Sequence, residues 1–181
     1  KVKHPIDAMH LGMGLLPDDR KAEGIVADLS VRENIILAIQ AKQGILKKIP
    51  MAKQCEIADK YIDLLQIKCA SRETLIKQLS GGNQQKVVFA KWMATSPKIL
   101  LLDEPTRGVD VGAKAEIYQI IDEMAKNGTA IVMVSSDMPE LMAMSDRILV
   151  MKDGHVSGEI RKEDVSETLI MKYALKSEGE E

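Results

Sequence analysis

The chain predicts an α/β fold with a parallel sheet and an inserted α-helical subdomain. Three observations carry that expectation. From Ser80 onward, aliphatic runs at residues 99–102 and 129–134 alternate with segments of helical period. Both runs are unbroken, as in strands buried on both faces. Before Ser80, two helix-period segments follow one another with no strand between them.

Taken in order, residues 11–16 are short, apolar and glycine-punctuated, and Pro17 ends them, which predicts an edge strand followed by a loop over 18–28. Ser30-Val31-Arg32-Glu33 has the spacing of a capping box, so a helix is expected from there to about Lys42. Residues 44–50 connect it to a second helix over 51–65, where Ile57, Tyr61, Leu64 and Leu65 share a face. Ser80-Gly81-Gly82 leads into a helix over 83–95 that Pro97 stops. The strand at 99–102 ends in Asp103-Glu104, and a helix over 113–126 ends at Asn127-Gly128. After the strand at 129–134 come a short helix over 139–144 and two strands flanking Asp153-Gly154, a hairpin signal. An amphipathic helix over 163–175 closes the fold, and the acidic tail at 177–181 is expected to fray.

Composition excludes several classes of function. The chain is 45% hydrophobic, enough for one core, but only 3% aromatic, too few rings for a stacking platform. A net charge of −2 leaves no electrostatic footprint for nucleic acid. Cys55 and Cys69 sit in no metal-ligand spacing and read as free thiols of a reducing cytoplasm. His4, His10 and His155 are scattered, the 11 Met residues fit core gaps, and Trp92 reads as a packing residue. No apolar run reaches the ~20 residues that span a bilayer, and the first residues lack the apolar core of a signal peptide. A soluble protein is expected, reaching any membrane only through a partner. Arg20-Lys21 could meet a partner or a phosphate, with plain surface charge as the default.

Two features can carry chemistry. An aliphatic strand delivers Asp103 and Glu104 side by side at its carboxyl end, where ligands bind in open α/β sheets. One carboxylate can hold Mg²⁺ through water and the next can polarise a water for attack on a phosphoryl group. Acidic residues also end strands merely because loops are polar, and the pair alone does not decide between the two. Leu79-Ser80-Gly81-Gly82-Asn83 places small residues at a helix start, whose N–H groups and dipole suit a phosphate. It serves equally as an ordinary loop and cap.

Together, and in this order, the two features resemble the ATP-binding-cassette family. Residues 79–85 are similar to its signature motif, 98–104 to its Walker B strand, 107–110 to its D-loop, 134–137 to the end of its switch strand, and 12–20 with 29–34 to its Q-loop surroundings. The resemblance spans about residues 8–160. The strings at 16–21, 82–86 and 105–114 look like one subgroup, the second cassette of the duplicated ATPases that power simple-sugar importers. The resemblance implies a P-loop NTPase-like (RecA-like) core, truncated at its N-terminus, that binds ATP and Mg²⁺. It implies a residual core strand and Q-loop region at 1–29, a helical subdomain at 30–96, an α/β core at 97–162, and a C-terminal helix and tail at 163–181. Ser80, Gly81, Gly82 and Asn83 would face the nucleotide of a sister cassette stacked head to tail, and Asp110 would communicate between the two sites. Asp103 would position Mg²⁺ through water, and Glu104 would polarise water. Transmembrane permease subunits would meet residues 30–78 and 18–24 at the cytoplasmic face of the membrane, with a solute-binding protein as an indirect partner. A soluble family member acting on ribosomes or DNA is disfavoured by the near-neutral charge.

The sequence departs from that pattern in four places. No glycine is followed by lysine, so the family's Gly-x-x-x-x-Gly-Lys-Ser/Thr loop is not among these residues. A piece of a longer polypeptide is therefore expected, with an exposed strand edge and apolar surface. Asp18 stands where the family has its Q-loop glutamine, Ser136 where it has a switch histidine, and Asn83 where the signature has glutamine. Asp18 and Ser136 point to a site of low hydrolytic activity. An ATPase of a sugar importer and a largely non-catalytic, nucleotide-dependent module supporting a sister cassette both remain open. An equilibrium titration of the isolated chain with ATP is expected to give no micromolar affinity; micromolar binding would refute the dependence on a phosphate loop.

Overall fold

The computed structural model describes residues 2–44 and 46–175, so the tail at 177–181 lies outside the described residues. The chain forms two compact units, one ending at Val134 and the other beginning at Ser135.

In the first unit, a short helix α1 (Pro5–His10), not anticipated from the sequence, starts on Pro5 and a capping box between His4 and Asp7. It leads into β1 (Met13–Leu16). The helix α2 (Val31–Gln43) starts as the sequence predicts: the Ser30 hydroxyl accepts from the Glu33 amide, and the Glu33 carboxylate accepts from the Ser30 amide at 2.8 Å. That bonding holds the Glu33 carboxyl below its ordinary range. Then follow α3 (Met51–Leu64), a 3₁₀ turn (Ile76–Gln78) and α4 (Gly81–Met93). The strand β2 (Ile99–Asp103), the helix α5 (Val111–Lys126) and the strand β3 (Ala130–Val134) complete the unit.

The sheet is parallel in the order β1-β2-β3, with Leu15 beside Leu101 and Leu101 beside Val132. Alternation along each strand sends Leu16, Leu100 and Leu102 to one face, where they are buried. Each such side chain contributes about 1.5–3 kcal/mol by leaving water. The helix α4 packs against β1 and α5 against β3. Phe89 and Ile117, each 0% exposed, belong to the same core.

The other face differs from the expectation of strands buried on both sides. Leu15, Val132 and Val134 are 48, 53 and 60% exposed. Uniform aliphatic composition cannot report which face is covered, and β3 is an edge of the sheet among the described residues. Cys55 and Cys69 are free thiols of intermediate exposure.

The second unit has a core of its own. The helix α6 (Met138–Met144) precedes the antiparallel pair β4 (Arg147–Lys152) and β5 (His155–Arg161). Asp153 and Gly154 join the strands with φ of 47° and 81°, the left-handed pair that a tight hairpin requires. Residues 163–175 are not one helix. A 3₁₀ turn (Lys162–Asp164) comes first, and α7 (Glu167–Leu175) follows. Ile148, Val150, Ile160 and Ile170 form the buried centre, with Met142, Leu169 and Tyr173 packed around it.

Buried Asn34 ties down the chain between the first strand and α2. Its Oδ1 accepts from the Val26 amide at 2.8 Å, and its Nδ2 donates to the carbonyls of Val26 at 3.1 Å and Ser30 at 2.9 Å. Asn34→Ala strands those groups and is expected to cost about 1–3 kcal/mol in urea denaturation. A loss below about 0.5 kcal/mol would show that the loop finds other partners.

Candidate functional site

The first turn of α4 is the starting point. Ser80 caps it: its hydroxyl accepts from the Asn83 amide at 3.4 Å and from Asn83 Nδ2 at 2.9 Å. The opening amides of any helix lack intrahelical acceptors, and here Ser80 is exposed beside them. Asn83 Oδ1 accepts from the Lys68 amide at 2.7 Å, which fixes the cap to the preceding loop.

The next two positions leave little room for a side chain. A methyl at Gly81 would lie 2.7 Å from Arg20 Nη2 and 3.0 Å from the Gly108 carbonyl oxygen. A methyl at Gly82 would lie 2.6 Å from the Ala113 Cβ. At Gly82 the clash is with a short side chain on α5, so a larger residue must push the two helices apart; at Gly81 a methyl displaces the end of the Arg20 side chain and crowds the Gly108 carbonyl. One turn further on, Gln85 Nε2 donates to the Pro105 carbonyl at 2.6 Å in a buried bond. The helix start and the loop that follows β2 are thereby held edge to edge.

That loop begins at the strand tip. Asp103 is the last residue of β2 and pairs with Val134; Glu104 follows it with φ 47°. A left-handed conformation costs a non-glycine residue roughly 1–2 kcal/mol. Here it lets the Glu104 amide donate to the Val134 carbonyl at 2.9 Å, prolonging the ladder while the chain turns. Arg107 and Val109 amides donate back to Glu104 and Thr106 carbonyls at 3.0 and 3.2 Å, closing two tight turns. Exposed Asp110 then caps α5, its Oδ1 accepting from the Ala113 amide at 3.0 Å.

Asp18 and Arg20 join the same edge. Arg107 Nη1 donates to the Asp18 carboxylate at 2.6 Å. Arg20 Nη1 donates to the Arg107 carbonyl at 2.6 Å and Nη2 to the Gly108 carbonyl at 3.1 Å. Arg20 is therefore no plain surface charge: it is half-buried, and burial lowers its proton affinity, with Asp19 opposing. It opens a π-turn (Arg20–Gly24), whose start is fixed by Asp19 accepting from the amides of Lys21 and Ala22 at 3.0 and 3.1 Å. The sequence offers no periodic signal for that turn.

The inner face of α4 is more polar than its helical period suggests. Buried Lys86 pairs with Glu116 at 2.8 Å and donates to the Gln66 carbonyl at 3.2 Å. Buried Lys91 donates to the Gly24 carbonyl at 2.7 Å, at the end of the Arg20 turn. Ser136 belongs to the second unit and is exposed there; the neighbouring Ser135 hydroxyl accepts from the Asp137 amide at 3.0 Å and bonds Glu140.

Among the described residues, no group of three or more His, Cys, Asp or Glu side chains could hold a metal ion. A donor set with Asp103 as its carboxylate suits Mg²⁺, which keeps most of its shell as water and phosphate oxygens.

A parallel sheet with a carboxylate pair at a strand tip thus lies edge to edge with a glycine-bearing helix start. The family model described as ABC transporter matches residues 4–107, more than half of the chain, and the chain belongs to that family. Ribose import ATP-binding protein RbsA of Clostridium tetani is 47% identical over 175 residues, covering 96% of this chain and 35% of that protein. The protein of the same name from Bacillus licheniformis is 50% identical over 173 residues, again covering 96% and 35%. The chain thus spans about a third of the length of these relatives. A dimeric ATP-binding cassette solved in a post-hydrolysis state with ADP and Pi superposes at a TM-score of 0.70 and 25% identity, over 83% of this chain and 62% of that one. A cassette of another ABC transporter gives 0.75 at 21% identity, over 96% and 72%, and shows the shared fold. The α/β core is accordingly of the P-loop NTPase type.

Burial pushes the Lys91 ammonium down from 10.5 to about 8. Its charged form is disfavoured in the folded state, so that cost is fully present below pH 8. It is relieved as pH rises from about 8 toward 10.5, where only the unfolded chain still holds the proton. Wild type minus Lys91→Met should therefore gain about 2 kcal/mol of relative stability between pH 7 and pH 9.5, read by urea denaturation. A pH-independent difference would show that Lys91 titrates normally.

Proposed function

We propose that this chain is nucleotide-binding machinery of an ATP-driven importer for a simple sugar of the ribose class. One observation carries the cassette reading: the first turn of α4 abuts the loop after Asp103-Glu104, through Gly81, Gly82 and the Gln85–Pro105 bond. The sugar class is supported by the names of relatives that are 44–50% identical.

In this reading Ser80, Gly81, Gly82 and Asn83 offer α4 amides and a hydroxyl to the phosphates of ATP held by a head-to-tail sister cassette. Bound Mg²⁺ would neutralise phosphate charge, with Asp103 as its contact through water. Glu104 polarises the attacking water, and Asp110 at the cap of α5 links one site to the other. Residues 18–24 and the helical segment 30–78 meet transmembrane permease subunits at the cytoplasmic face of the membrane, with a solute-binding protein as an indirect partner. No helix among the described residues is long and apolar enough to cross a membrane.

A second reading has a specific observation behind it. The carboxylate of Asp18, at the family's glutamine position, is engaged by Arg107. With Ser136 at the switch position, that favours a cassette that binds ATP and closes while its sister does most of the turnover. Glu104→Gln in the full-length protein separates the readings. The asymmetric cassette predicts a loss of hydrolysis no greater than about tenfold, against a hundredfold or more, roughly, for the matching change in the sister. Equal collapse from both changes would refute the asymmetry, and no change at all from Glu104→Gln would leave a purely supporting module.

A further inference from the structure

Residues 18–20 and 107–108 lie 87 to 89 positions apart in the sequence, yet side-chain bonds tie them at the candidate site. The Asp18–Arg107 pair is exposed on both sides, and such pairs contribute only about 0–1 kcal/mol. The Arg20 bonds are of another kind. The guanidinium spans two successive backbone carbonyls, a match to its planar fork that an ammonium cannot reproduce. It is half-buried, and among the described residues its Nε is buried without a hydrogen-bond partner. Burying part of a cation in this way is costly unless it is hydrogen-bonded, and the two carbonyls supply those bonds. The neighbouring helix start has no side chain at Gly81, and a methyl there would meet Nη2 at 2.7 Å.

We propose that Arg20 is a positioning residue for the nucleotide edge: its guanidinium fork holds residues 107–108, and with them the loop carrying Asp110, against the first turn of α4. The proposal rests on the cassette reading above. Besides the fork, the loop is held at its start by the Gln85–Pro105 bond, by the exposed Asp18–Arg107 pair and by two local turns, Arg107 to Glu104 and Val109 to Thr106. Without the fork, residues 107–108, just ahead of Asp110, lose their half-buried tie to the Arg20 turn. Arg20 also opens the π-turn whose last residue, Gly24, receives Lys91 from α4, so the turn is fastened at both ends.

The test uses the full-length protein with its membrane partners, carrying Arg20→Ala or Arg20→Lys, and two readouts. Amide hydrogen exchange at Arg107 and Val109 reports the loop. Steady-state ATP hydrolysis reports kcat and KM. Arg20→Ala should speed exchange at both amides and lower kcat about tenfold, with KM for ATP within about twofold of the parent. Arg20→Lys should recover little, because one ammonium cannot span both carbonyls. Should Arg20→Ala not fold, Arg20→Lys carries the test by itself, with the same pair of changes expected. Where the parent hydrolyses ATP, unchanged exchange in Arg20→Ala would overturn the positioning role alone, as would faster exchange with unchanged kcat, or a lysine variant equal to the parent. A parent complex with no hydrolysis would defeat the cassette reading and the positioning role together.

Discussion

Two residues without side chains set how closely α4 can approach the chain that leaves β2. Gly81 and Gly82 bring backbone within contact of Gly108 and Ala113, and a side chain at Gly82 would displace the helix. Everything else at the edge is spaced by that contact. Gln85 reaches Pro105 only because the helix lies this close, and Asp110 caps α5 from a loop wedged between the helix start and the Arg20 turn. Small residues at a helix start leave its amides accessible and also allow the carboxylate-bearing loop to lie alongside.

The helix itself trades stability for definition. Its buried face includes Gln84, Gln85, Lys86 and Lys91, groups that burial penalises unless each finds a partner. Each donor finds its partner on a different segment: the Ile76 and Leu79 carbonyls, the Pro105 carbonyl, Glu116 with the Gln66 carbonyl, and the Gly24 carbonyl, while the Oε1 atoms of Gln84 and Gln85 are buried without a hydrogen-bond partner among the described residues. An apolar face would pack in several rotations about the helix axis. A face studded with directional donors accepts one, and that one points the first turn at the loop.

Much of this was legible from residue order. The capping box at Ser30 and Glu33, the Asp153-Gly154 turn and the carboxylate pair at the end of β2 are local devices whose chemistry is written within four residues. The burial of β3 was not legible, because exposure of an aliphatic strand depends on what covers it. Nor was the start of α7, since Lys162, Glu163 and Asp164 suit a 3₁₀ turn as well as a first helical turn. Lys91 carried no signal in the sequence, and Arg20 read by default as plain surface charge. Their partners are backbone carbonyls far away in sequence, and a carbonyl carries no residue-type signal. The strings at 16–21 and 105–114, which looked like one subgroup when read separately, turn out to touch at Arg20, Arg107 and Gly108.

The left-handed backbone at Glu104 has one more implication. Conformations of that kind admit asparagine and aspartate several-fold more readily than other side chains. Local folding would therefore be better served by the shorter acid. The chain carries the longer one, on a turn that already strains to follow the strand. The additional methylene lengthens the reach of the carboxylate by one more bond, so the choice of acid at this position answers to distance rather than to comfort of the main chain.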